Sequence, residues 1–107
     1  MEKTKTILEA KTVTISLKKG IVCMDPANVR VKREQDIIWS CDDTSLFYAI
    51  HLGDTSPFDD VHHQAGPGTT ISVKIPDNAQ INSYKYVIAV SNGTKVWIAD
   101  PTIIIRE

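Results

Sequence analysis

The chain has 107 residues, 42% hydrophobic and 23% charged, with 12 Lys and Arg against 13 Asp and Glu and a net charge of −1. That length makes one domain, 1–107, able to bury roughly two thirds of its unfolded surface without a metal or disulfide staple. The near-neutral balance excludes a large basic footprint for nucleic acid, and no run approaches the ~18 apolar residues of a membrane span.

Residues 1–10 are polar and weakly periodic, a flexible arm or an irregular edge strand. Met1 to Leu8 contains no apolar stretch of signal-peptide length. A soluble, cytoplasmic protein is therefore expected, or a periplasmic or secreted one if a leader has been removed. Cys23 and Cys41 could form one disulfide, but their spacing does not demand it, and a cytoplasmic setting implies reduced thiols. Thr12 to Leu17 alternates polar and apolar, so Val13, Ile15 and Leu17 share the buried face of a strand. Ile21 to Met24 is apolar and is stopped by Asp25-Pro26; proline cannot donate to a sheet ladder, so this is a turn or an edge.

Val29 to Lys32 alternates again, Glu34-Gln35-Asp36 is a polar turn, and Ile37 to Cys41 is the next strand. Leu46 to Leu52 is strongly β-like. If Tyr48 points away from the core face of Phe47, it is a candidate interface anchor. Residues 53–68 read as one long polar loop, a length often associated with function. Thr69 to Ile75 is a strand with Ile71, Val73 and Ile75 inward, and Pro76 to Gln80 is a turn.

Tyr84 to Ser91 and Thr94 to Ala99 flank Asn92-Gly93, the strongest short-range signal for a two-residue type I′ hairpin. That turn predicts that Ser91 faces Thr94, Ala89 faces Val96, Ile88 faces Trp97 and Val87 faces Ile98. Apolar residues lie on both faces of this pair, which predicts interior strands at least partly covered on both sides. Because a β-branched residue resists φ > 0, Gly93→Val is expected to destabilise the domain. Thr102 to Ile105 is the last strand. Short strands, turn signals and no capped helical period predict an all-β Greek-key sandwich of seven to eight strands.

The order of these elements resembles the cupredoxin-like fold; an immunoglobulin-like sandwich is the alternative. The resemblance rests on Asp25-Pro26-x-x-Val29-x-Val31, Asp36-Ile37-Ile38-Trp39, Ser56-Pro57-Phe58, Tyr84-x-Tyr86-x-Ile88 and Asp100-Pro101 before the terminal strand. At Glu34-Gln35 the chain departs from the glycine usual in the family turn. The resemblance implies an electron-transfer copper site of two histidines, a thiolate and usually an axial methionine, three of them near the last hairpin. After Tyr84 there is no Cys, His or Met, and the position for the remaining histidine is Phe47. The ligand set is absent by residue type, so no copper cofactor is expected.

The polar residues that could carry chemistry are His51, Asp54, Asp59, Asp60, His62 and His63. Imidazoles with carboxylates suit zinc, nickel or copper(II), and His51, Asp59, Asp60, His62 and His63 form the candidate metal set. Adjacent His62 and His63 point to opposite faces if they lie on a strand, so one ion could take both only from a loop. A solvated loop with no metal is the plainer reading. Ser45 or Ser56 with His51 lacks a nucleophile elbow and an orienting acid, so no enzyme is expected. Trp39, Trp97, Cys23 and Cys41 read as packing residues. The remaining expectation is a non-enzymatic binding module whose partner is another protein, or a second copy through an edge strand, with no nucleic acid and no membrane.

Overall fold

The computed structural model describes residues 9–53, 57–58 and 60–107. Asp54, Ser56 and Asp59, and most of the N-terminal arm, lie outside the described residues. The strands are β1 (Lys11–Lys18), β2 (Ile21–Asp25), β3 (Asn28–Lys32), β4 (Asp36–Cys41), β5 (Phe47–His51), β6 (His62–Ala65), β7 (Ile71–Lys74), β8 (Asn82–Lys85), β9 (Val87–Ser91), β10 (Val96–Ala99) and β11 (Thr102–Arg106). They form ladders β2-β1-β4-β7, β10-β9-β5-β6 and β3-β11-β8. The last two are halves of one sheet. The long hairpin runs without a change of register from Ser91↔Val96 to Asn82↔Ile105. Its ladder thins only at Pro101, which has no amide hydrogen to donate, and there Tyr86 N–H still donates to Pro101 C=O at 3.0 Å.

Two layers result, and their inner faces alternate as the sequence pattern requires. Val13, Ile15, Ile37, Trp39 and Ile71 come from one layer. Val29, Val31, Tyr48, Ile50, Ile88, Val90, Ile103 and Ile105 come from the other. Trp39 is fully buried, and Trp97 is half-buried beside Gly20. The buried polar residue is Gln35. Its side chain accepts from Lys32 N–H at 2.9 Å and donates to Glu9 C=O at 2.6 Å, while its backbone bonds Lys32 and Ile75. A residue read as part of a surface turn is thus the tie between β3, β7 and the N-terminal segment.

Several expectations are corrected. Among the described residues there are eleven strand segments rather than seven to eight, because Ile21–Asp25 is a full strand, the first arm of the long hairpin divides at Tyr86, and β6 lies inside the expected loop 53–68. His62 to Ala65 carries no apolar alternation; it pairs as an edge strand with β5 alone among the ladders. Tyr48 is buried, with its one hydroxyl hydrogen shared between the carbonyls of Thr69 at 2.8 Å and Trp39 at 3.0 Å, and Phe47 is the exposed neighbour. The alternation of β5 is real, but the inward and outward sets are reversed.

The final hairpin keeps its faces and shifts its register. Ser91 pairs with Val96, Val90 with Trp97 and Ala89 with Ile98, a slide of two residues that leaves each side chain on its expected face. The cause is Asn92, whose Oδ1 accepts from Thr94 N–H at 2.9 Å and Lys95 N–H at 2.8 Å and so closes a four-residue loop. The two-residue turn with both residues at positive φ occurs instead at Lys19-Gly20, with φ of 53° and 76°, between Lys18 and Ile21. Gly93 still sits at φ 94°. Gly93→Val should therefore lower stability by about 1–2 kcal/mol through backbone strain, the space around it being open. A chemical-denaturation midpoint equal to wild type would contradict it. Glu34 has φ 68°, the left-handed conformation that accounts for the family's glycine at this turn.

Candidate functional site

The outward face of the second sheet is not covered, contrary to the expectation for the last hairpin. Val96 and Ile98 on β10, Val87 on β9 and Phe47 on β5 remain 62%, 68%, 36% and 48% exposed. The register sets them in rows, with Val96, Ser91 and Phe47 across the hairpin end and Ile98, Ala89, Ala49 and Gln64 across the middle. The small side chains of Ala89, Ala49 and Ser91 leave a shallow trough of about 470 Å³ between Val96 and the Phe47–Gln64 side. Strand alternation generates the patch. The same period that buries Ile88, Val90, Tyr48 and Ile50 turns Val87, Ala89, Phe47 and Ala49 outward.

Beyond the Tyr86–Pro101 pair this face changes character. Arg30 and Lys32 on β3, Arg106 on β11 and Lys85 on β8 are all exposed on it, with Lys32 directly opposite Arg106. None of the four has a carboxylate partner among the described residues, where the ion pair within reach is Lys74–Asp36 at 4.0 Å. A chain of net charge −1 therefore collects four cations on the same outer face, farther along the strands from the apolar trough. Composition hides this arrangement, because the residues come from three strands distant in sequence.

The candidate metal residues divide into two groups. His51 and His62 are directly opposite across β5 and β6, exposed on the outer face, with ring centroids 6.0 Å apart. His63 alternates to the other side of β6, where its Nε2 meets Asp60 C=O at 3.0 Å and both residues border Lys74 and Val73 of β7. Asp59 lies outside the described residues. Among the described residues no group of three or more His, Cys, Asp and Glu converges as metal ligands. Of the four described candidates, His51 lies with His62 and His63 with Asp60, for the reason the alternation of His62 and His63 supplies.

The nucleophile candidates are separated in the same way. Ser45 precedes β5 and His51 ends it, about 20 Å of extended chain apart. Ser45 Oγ donates to Asp43 Oδ1 at 2.6 Å, and this bond with the Ser45 amide holds the Asp43 carboxyl below its ordinary range. Burial, then the charges of Asp42 and Asp43, push the Cys41 thiol up, away from the reactive thiolate. Cys23 and Cys41 are free. They lie on β2 and β4 with β1 between, about 10 Å of strand spacing that no disulfide spans.

Among solved structures the chain is similar to a novel purple cupredoxin from Nitrosopumilus maritimus, at 10% identity and TM-score 0.59, over 90% of this chain and 99% of that one. A pseudoazurin from Sinorhizobium matches at 14% identity and TM-score 0.59 over 94% and 76%. A reduced-state amicyanin mutant matches at 7% identity and TM-score 0.55 over 89% and 82%. The fold is therefore cupredoxin-like, as the order of elements implied. No family model and no curated protein sequence matches the chain. Phe47 occupies the start of β5 at the apolar end of the outer face, so the position the resemblance gives to a copper-binding histidine carries a large exposed apolar ring.

Proposed function

We propose that this chain is a non-enzymatic protein-binding module that uses the outer face of its second sheet. Its partner presents an apolar ridge with acidic residues to one side. The observation that carries the reading is the set of exposed Val96, Ile98, Val87 and Phe47 on three adjacent strands of one face. Contiguous apolar surface bordered by polar groups is what recognition faces present to a partner. Charge complementarity selects the partner's acidic side, because Arg30, Lys32, Lys85 and Arg106 lie on the same face. The separation of Ser45 from His51 and the raised Cys41 thiol support a role without catalysis.

The test uses the full chain in two measurements. Sedimentation from micromolar to submillimolar concentration is expected to give a monomer; a dimer dissociated by Ile98→Glu would transfer the face to a second copy and overturn the partner reading. Chemical cross-linking in cell extract then compares wild type with Ile98→Glu, Arg106→Glu and Lys74→Glu. Products common to wild type and Lys74→Glu and absent from both Ile98→Glu and Arg106→Glu are expected. The same products from all four proteins would sink the proposal. All three substituted side chains are exposed, so the fold should persist, and circular dichroism checks this.

A further inference from the structure

We infer that His51 and His62 form a two-histidine chelate for a borderline divalent cation, zinc, nickel or copper(II), on the outer face of the β5–β6 ladder, and that His63 takes no part in it. The inference is independent of the binding-module reading and needs no partner.

Three observations carry it. First, the register places His51 and His62 directly opposite in an antiparallel pair, the arrangement that brings two side chains of one face closest. Their rings lie 6.0 Å apart at 52°. A tetrahedral ion with metal–nitrogen bonds of about 2.0–2.1 Å places two imidazole centroids about 5 Å apart. A rotamer adjustment of about 1 Å closes that difference, and both side chains are exposed and free to make it. Second, Gln64 reaches His62 on the same face, with Nε2 to Nε2 at 3.1 Å. Rotation of the amide by 180° places its oxygen beside the same site. Third, His63 is held on the opposite side of β6, against Asp60 C=O at 3.0 Å, so the backbone alternation keeps it from an ion that His51 and His62 share.

The ligand chemistry follows from the donor set. Two neutral imidazoles suit borderline transition metals, whereas calcium and magnesium demand oxygen ligands. Among the described residues two protein ligands leave the other coordination positions to water or to a further donor, unlike a closed structural zinc centre with four protein ligands. It also uses neither the thiolate nor the position of the ligands that the cupredoxin resemblance implies.

The experiment is calorimetric titration of the purified full chain with zinc, nickel and copper(II) chlorides, repeated with calcium. Wild type is expected to show one saturable site at micromolar transition metal and none for calcium. His51→Gln and His62→Gln should each weaken binding by about tenfold or more, and His63→Gln should leave it unchanged. NMR of the histidine ring protons should show His51 and His62 perturbed by substoichiometric metal and His63 undisturbed. Absence of saturable binding in wild type overturns the proposal. So does equal weakening by His63→Gln, or full affinity in His62→Gln, which would assign the metal to Cys23 or Cys41.

Discussion

Trp39→Ala should cost about 3–5 kcal/mol of folding stability, a large part of the 5–15 kcal/mol that holds an ordinary domain together. Trp39 has no exposed surface. It sits between Val13 of β1 and Ile71 of β7 in the first sheet and meets the Tyr86 ring of the second edge-on, with centroids 5.7 Å apart at 65°. Truncation to Ala removes the indole from the middle of the core and leaves a cavity that rigid strands cannot collapse. It also removes the indole N–H that donates to Tyr86 Oη at 3.1 Å. Urea denaturation at neutral pH measures the loss. A drop below about 1 kcal/mol would show that the two sheets can close over the gap, which is the behaviour of a loosely packed core rather than this one.

Tyr86→Phe isolates the polar part of the same contact while preserving its shape. The buried indole N–H of Trp39 loses its acceptor, at an expected cost of about 1–3 kcal/mol. The pH dependence gives a second signature. Burial pushes the Tyr86 hydroxyl from its ordinary 10.0 up to about 12, opposed by the hydrogen bond from Trp39. The folded chain thus keeps a proton that the unfolded chain releases above pH 10. The associated stability is fully present below pH 10 and is lost as pH rises through about 12, in total about 2–3 kcal/mol. Burial also raises the Tyr48 hydroxyl, so wild type and variant share that further loss. The difference in stability between wild type and Tyr86→Phe should narrow from pH 9 to pH 11.5; parallel profiles would dissociate Tyr86 from the alkaline transition.

Much of the fold was legible because sheet structure writes a period of two into the chain. Of the residues that alternation places inward, Val13, Ile15, Ile71 and Ile75 are buried, and Leu17 and Val73 are half-buried against the core. Residue types carry a second message: a hairpin of Val, Ile, Ala and Trp offers none of the thiolate and imidazole donors of a blue-copper site. Alternation has a blind spot where both faces are apolar. In Leu46 to Leu52 and Val87 to Val90 it defines two sets of side chains but not which set meets the other sheet. Tyr48 was therefore misplaced, and the outer face of the hairpin was expected to be covered.

Register and convergence depended on contacts distant in the chain. The side chain of Asn92 closes a wider loop than the Asn-Gly dipeptide predicts, and the unbroken ladder past Tyr86 and Pro101 carries that register down the whole hairpin. β6 was not legible because an edge strand with one ladder neighbour needs little apolar content, and His62 to Ala65 supplies little. Its pairing with β5 nevertheless decides that His51 meets His62 and that His63 does not. The four cations come from β3, β8 and β11, segments dispersed over most of the chain. The local alternation of residues specifies strands and core, since each depends on neighbours one or two positions away. The exposed face, the two-histidine pair and the basic border arise from strand order and register, set by packing between residues tens of positions apart.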